Sequence, residues 1–139
     1  MKQLRFLVEK SIPFEAGHRL MNYEGKCKNI HGHNYIMRVG LGSYECSKQG
    51  FVRDFSEIQA VIKAYLNEFV DHATIFNIQD SEWINIFIEK KQFVYVVDNN
   101  PTAENLAAHF YHLFKTNFKE LLYIEIEETP TSKARYYGE

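Results

Sequence analysis

Two runs of alternating apolar residues, each carrying histidine at one end, constrain this chain more than any other feature. In the first, Leu4, Phe6, Val8, Ile12, Phe14 and Ala16 share one phase and lead to His18. In the second, His31, His33, Tyr35, Met37, Val39 and Leu41 share a phase, with Asn34 and Arg38 on the other. A period of two belongs to half-buried strands, whose side chains point alternately to opposite faces. If the two runs pair as an antiparallel hairpin, all three imidazoles converge at one end of the sheet. Pro13 is expected to mark a bulge or break in the first run, and the Gly25-containing segment between Met21 and Ile30 reads as a loop.

Later segments supply helices to cover such a sheet. Phe55, Ile58, Val61, Ile62, Tyr65, Leu66 and Phe69 recur at three- and four-residue spacing, with Asp54 and Glu57 as an N-terminal capping pair. Ser81 to Glu89 reads as a short helix and Phe93 to Val97 as a strand. Asn99-Asn100-Pro101-Thr102 signals a helix start capped by Thr102, followed by a buried stripe through Ala103, Leu106, Ala107, Phe110, Leu113 and Phe114. A last strand covers Leu122 to Thr129. The 139 residues are expected to form a single domain, 1–139, of paired strands and helices.

The formal charge of −2 argues against a nucleic-acid partner, which calls for a basic excess. No stretch approaches the roughly 18 apolar residues of a membrane span, and Met1 to Arg5 carries no signal core. A cytoplasmic protein with Cys27 and Cys46 as free thiols is expected.

The chemistry concentrates in few places. Three neutral imidazole nitrogens with one open coordination position make a catalytic zinc site, whereas structural zinc closes its sphere with four protein ligands. Cys27, in the loop, is the alternative fourth ligand. It is flanked by Lys26 and Lys28, whose charge favours a thiolate. Glu128 lies on the apolar phase of the last strand, whereas Glu125 and Glu127 occupy the polar phase. An inward carboxylate needs a partner, either a structural cation or the two N–H donors of a planar ligand edge. Asp71-His72 suits proton transfer, the carboxylate orienting an imidazole within the chain or across a subunit boundary. His109 and His112 are expected to face solvent.

Taken together, the segments resemble the 6-pyruvoyltetrahydropterin synthase / 6-carboxytetrahydropterin synthase family. The matching pieces are Phe14-Glu15-Ala16-Gly17-His18-Arg19-Leu20, Cys27-x-x-x-His31-Gly32-His33 and Gly50-Phe51-Val52-x-Asp54-Phe55. They continue with Val70-Asp71-His72, Pro101-Thr102-Ala103-Glu104-Asn105-Leu106-Ala107, Glu128-Thr129 and Gly138-Glu139. Residues 73–77 match loosely, and residues 78–92 look longer than in the shortest members. The resemblance implies an α+β tunnelling fold, an antiparallel sheet packed against two helices, and a homohexamer of two stacked trimers with sites at subunit interfaces. It implies Zn2+ on His18, His31 and His33, and catalysis by Cys27 with Asp71 and His72. Glu128 would anchor the pterin, with Thr102 and Glu104 lining its pocket. The implied substrate is 7,8-dihydroneopterin triphosphate, and the Cys27-to-His33 spacing is most similar to that of the carboxy-forming group, which releases acetaldehyde and triphosphate. Triphosphate elimination to the pyruvoyl product, or a non-catalytic zinc or pterin-binding module, are the rival readings. Lys26, Lys28 and Arg19 are candidates to meet the triphosphate.

Overall fold

The computed structural model describes residues 3–138; Met1, Lys2 and Glu139, the last being the end of the resemblance, lie outside the described residues. The two alternating runs form long strands, β1 (Phe6–His18) and β2 (His31–Ser43), paired antiparallel from Phe6 opposite Ser43 to His18 opposite His31. The chain continues through α1 (Phe55–Phe69), β3 (Thr74–Asn77), α2 (Ser81–Glu89), β4 (Val94–Val97), α3 (Ala103–Lys115), β5 (Leu121–Thr129) and β6 (Ser132–Tyr136). The strands make one sheet in the order β4-β3-β1-β2-β5-β6.

The sheet is antiparallel from β1 to β6, as expected, but β3 runs parallel to β1 and β4 parallel to β3. Each parallel step is bridged by a helix, α1 before β3 and α2 before β4, because a parallel connection needs a crossover. Periodicity does not reveal β3, which is four residues long and largely buried, so nothing alternates. It does not reveal β6 either, an edge strand of sequence Ser-Lys-Ala-Arg-Tyr with little apolar content.

Pro13 neither breaks nor bulges β1; it sits opposite Ile36 in continuous pairing. The backbone N–H groups of Glu15 and Gly17 point away from β2, to Asp71 and Ala73 respectively. Residue 13 shares that phase, and β3 reaches β1 only at Gly17 and His18. The missing donor of Pro13 therefore falls where no strand needs it.

One face of the sheet carries Ile12, Phe14, Tyr35, Met37, Val39, Leu41, Ile124 and Ile126 into the core, where α1 meets them through Ile58, Ile62 and Leu66 and α3 through Leu106, Ala107, Phe110 and Phe114. α2 packs elsewhere, its Phe87 ring edge-on to Phe76 at 5.0 Å, while the neighbouring Ile75 faces the core. Thr102 caps α3 as expected, its Oγ1 accepting from the Asn105 N–H at 3.1 Å. Asp54 caps α1 by accepting from the Ser56 N–H at 2.8 Å, but Glu57 does not complete a reciprocal box; it pairs with Arg53 at 2.9 Å.

Two side chains depart from their expected surroundings. Glu125, assigned to the polar phase, is only 1% exposed. Arg38 lies directly across from it on β2 and Arg135 on β6, donating at 2.7 and 2.8 Å. Burial acts to raise its pKa, but the two guanidiniums outweigh burial and hold the carboxyl below its ordinary range. Period two tells which face a residue takes and is silent on whether cross-strand neighbours seal that face. His109 is half-buried rather than solvent-facing, its Nε2 bonded to the Tyr95 hydroxyl at 2.6 Å, which in turn meets the Tyr65 hydroxyl at 2.7 Å. His112 is exposed, as expected.

Candidate metal centre

The hairpin register brings the three histidines together. His18 ends β1 opposite His31, and Ala16 opposite places His33 two residues along the same face. The ring centroids lie 4.6 Å (His18–His31), 5.1 Å (His18–His33) and 5.0 Å (His31–His33) apart, and one nitrogen of each ring falls within 4.8 Å of the others.

The protonation of two rings follows from their partners. His18 Nδ1 is 2.7 Å from the Pro101 carbonyl and His31 Nδ1 is 2.7 Å from the Asn29 carbonyl. A carbonyl oxygen only accepts, so each Nδ1 carries the proton and each neutral ring turns an Nε2 lone pair inward. Those two Nε2 atoms are 3.1 Å apart. Two lone pairs at that separation call for a cation or a shared proton between them. The third ring repeats the signal, because His33 Nε2 is buried without a hydrogen-bond partner. An orphaned buried polar nitrogen costs about 1–3 kcal/mol unless something binds it.

The His18 ring, 2% exposed, has its pKa lowered to about 4, mainly by burial; the Pro101 bond acts the other way, and the neighbouring imidazoles add to the lowering. Burial lowers His33 as well, against the charge of Glu128 and with that of His31. Neutral rings with inward lone pairs, two of them fixed through the opposite nitrogen by a backbone carbonyl, are the donor set of a transition-metal site. Among the described residues no cysteine or carboxylate joins the three at that spacing. The sphere built by side chains thus stops at three, and the donor set fits a metal ion with an open position.

Cys27 does not close it. The thiol is exposed on a single 3-10 turn, Lys26–Lys28, four residues before His31. Glu128 lies near the end of β5, half-buried, where its charge bears on both His33 and Tyr35. No lysine or arginine forms an ion pair with it among the described residues. Thr102 is spent on capping α3, and Glu104 is exposed in the first turn. Thr102 adjoins Pro101, whose carbonyl holds His18. Arg19 is ion-paired to the buried Asp80 and lies over the Trp83 ring at 5.6 Å; with Lys28, Asn29, Ile30 and Trp83 it lines a cleft of about 450 Å³.

Asp71 and His72 make the expected contact, His72 Nδ1 lying 2.9 Å from Asp71 Oδ2. The pair turns the corner after α1, with His72 in the left-handed region at φ 71°. Both residues bind the free edge of β1: Glu15 N–H donates to Asp71 Oδ1 at 2.8 Å, and His72 N–H donates to the Glu15 carbonyl at 2.6 Å. Burial acts to raise the Asp71 pKa, but the Glu15 N–H and His72 hold it below its ordinary range. His72 Nε2 sits 3.3 Å from the Glu15 carboxylate. Glu15 alternates to the opposite face from Ala16, and the His72 ring meets its carboxylate there. It borders a cleft of about 460 Å³ with Glu15, Gly17, Gly32, His33, Asn34 and Thr74.

Three participants escape the sequence reading. The carbonyls of Pro101 and Asn29 belong to the backbone, and no side-chain pattern announces them. Tyr35 was legible only as an inward apolar residue; it is fully buried with an unpartnered hydroxyl, its ring 5.3 Å from His33. A phenol one strand step from an inward histidine was the available signal.

Comparison with known proteins adds independent findings. Residues 7–139 match the family model described as 6-pyruvoyl tetrahydropterin synthase. The 6-carboxy-5,6,7,8-tetrahydropterin synthase of Rickettsia felis is 38% identical over 72% of this chain and 73% of its own. That of Rickettsia conorii is 34% identical over 87% of this chain and 92% of its own. The solved 6-pyruvoyl tetrahydropterin synthase of Caenorhabditis elegans superposes with a TM-score of 0.72 at 26% identity, covering all of both chains. The α+β tunnelling fold expected from the resemblance is the fold observed.

Proposed function

This chain belongs to the 6-pyruvoyl tetrahydropterin synthase family, and we propose from that membership and the triad that it is a zinc-dependent 6-carboxy-5,6,7,8-tetrahydropterin synthase. The reaction converts 7,8-dihydroneopterin triphosphate to 6-carboxytetrahydropterin, releasing acetaldehyde and triphosphate, a step toward 7-deazapurines such as queuosine. The observation that carries the reading is the set of three inward imidazoles, joined by no fourth side chain among the described residues.

His18, His31 and His33 would hold Zn2+. When bound, the ion supplies Lewis acidity to the oxygens of the substrate side chain. Glu128, with no cation of its own, accepts the two N–H donors of the aminopyrimidine edge and fixes the ring relative to the triad. Thr102 and Glu104 line the same pocket from the start of α3. Cys27 takes a proton from the substrate side chain as thiolate, and His72, oriented by Asp71, delivers or accepts one at oxygen. With its Nε2 at the Glu15 carboxylate, on the face opposite Ala16, the dyad is assigned to the site of a neighbouring copy. The homohexamer of stacked trimers with interfacial sites that the family resemblance implies would supply that copy. Lys26, Lys28 and Arg19 are the candidates to meet the triphosphate, and the support for the last two is the cleft that they line beside Trp83. Among the described residues no helix is long and apolar enough to cross a membrane, and a cytoplasmic small-molecule enzyme is the proposed setting.

Incubation with 7,8-dihydroneopterin triphosphate and assay of acetaldehyde tests the reading. Acetaldehyde together with the carboxy product is expected. The pyruvoyl product without acetaldehyde would move the chain to the other branch of the family, and no turnover with zinc bound would leave a binding module.

A further inference from the structure

The side chain of Asn100 carries more of the metal centre than its distance along the chain suggests. Its amide makes a two-bond, strand-like pair with the backbone of Met21: Met21 N–H donates to Oδ1 at 2.9 Å, and Nδ2 donates to the Met21 carbonyl at 2.8 Å. Asn77, on β3, donates from Nδ2 to the same Oδ1 at 3.2 Å. The Asn100 carbonyl accepts from the Thr102 N–H at 2.8 Å and from Asn105 Nδ2 at 2.9 Å. The Met21 pair ties the turn that precedes α3 to the chain leaving β1, Asn77 ties it to β3, and the last two bonds hold it to the start of α3.

Met21 is three residues after His18, and Pro101 is one residue after Asn100. The bond from His18 Nδ1 to the Pro101 carbonyl therefore closes a ring. One side is the run His18-Arg19-Leu20-Met21, the other is Asn100-Pro101, and hydrogen bonds join them at both ends. A ring of this size leaves the Pro101 oxygen little freedom relative to His18, so the imidazole plane and the direction of its Nε2 are set from outside the triad.

We propose that Asn100 is the positioning residue of the metal centre, holding the Pro101 carbonyl where it fixes the tautomer and aim of His18. Asparagine is needed because the role demands a donor and an acceptor in one planar group on a short stem. Aspartate offers acceptors alone, and glutamine displaces the amide by a methylene. Asn100 touches no substrate atom in this role and acts only through Pro101 and His18. The inference rests on the reading of the triad as a metal site, and its test separates the two.

The metal-free chain, Asn100→Ala and Asn100→Asp are each titrated with Zn2+ against a competing chelator and with Co2+ alone, whose visible absorption reports ligand geometry. Circular dichroism and melting temperature are followed in parallel. Loss of a supporting bond to a metal-binding histidine weakens affinity about 10- to 100-fold. Asn100→Ala is expected to fall in that range with an altered Co2+ spectrum. Asn100→Asp keeps the side-chain size and the bond from the Met21 N–H, and it is expected to lose about 10-fold. If Asn100→Ala does not fold, Asn100→Asp decides. Wild-type affinity and an unchanged Co2+ spectrum in a folded variant, whatever its melting temperature, would overturn the proposal. A wild-type chain that binds neither ion would overturn instead the reading on which it stands.

Discussion

Two buried polar clusters lie on opposite faces of the same sheet, and they differ in whether the chain satisfies them. On the outer face, Glu125 is enclosed by Arg38 and Arg135, with Lys133 at 3.8 Å; it has a cationic partner on both neighbouring strands. On the inner face, His18 and His31 turn acceptors toward each other, and His33 Nε2 has none of its needs met. Both clusters cost desolvation to bury. The first recovers it internally, so it stabilises the fold and has no call for a ligand. The second leaves its lone pairs to something the chain does not supply. Burial of polar groups alone would rank the two together; the orphaned atoms separate them.

The contrast is open to direct attack. Its largest consequence concerns His31→Ala and His33→Ala, which should lose Zn2+ affinity by well over the roughly 100-fold seen when only a supporting bond is removed. The metal-free variants should melt no lower than the metal-free parent by more than a few degrees. Retained affinity in a chelator competition would erase the distinction between the clusters. Glu125→Ala is the mirror experiment. Leaving two guanidiniums without their carboxylate should destabilise the chain by about 3 kcal/mol in chemical denaturation, with Zn2+ affinity untouched. A change in affinity would mean that the faces are coupled.

Acid sharpens the comparison further. The Glu125 carboxyl is held below the ordinary 4.5. A depressed carboxyl contributes stability above its unfolded pKa, and that stability is lost as pH falls below about 4.5. His109 is lowered from 6.5, chiefly by burial, with Asp98 opposing and His112 assisting. Its neutral form is favoured in the fold, as are those of His18 and His33, so their contribution is complete above about 6.5 and declines on acidification below it. Denaturation of the metal-free chain across pH 7.5 to 3 should therefore show an upper and a lower decline. Glu125→Gln should shrink the lower decline, leaving the part carried by the other depressed carboxyls, Asp54, Asp71 and Glu120. A profile unchanged by that substitution would contradict the role given to the Arg38–Glu125–Arg135 ladder.

The same distinction explains what could be read from the sequence. The triad was legible because strand period and hairpin register together place His18, His31 and His33 on one face, and the structure keeps both. The helices were legible from their stripes and from Thr102. Glu125 and His109 were misjudged for a shared reason: pattern assigns a side chain to a face, while enclosure depends on what lies across from it. Arg38 and Arg135 seal one, Tyr95 and Tyr65 the other. Pro13 misled because its strand looks central in sequence but is unpaired on that side in space. The orientation of His72 could not be read at all, since adjacency to Asp71 says nothing about which face of β1 the corner meets.

X-ray absorption at the zinc edge of the loaded protein tests the central claim most directly. The account expects nitrogen scatterers of three imidazoles at about 2.0–2.1 Å, one oxygen from solvent or substrate, and no sulfur. A sulfur shell at about 2.3 Å would put Cys27 on the metal, close the sphere, and contradict a catalytic centre.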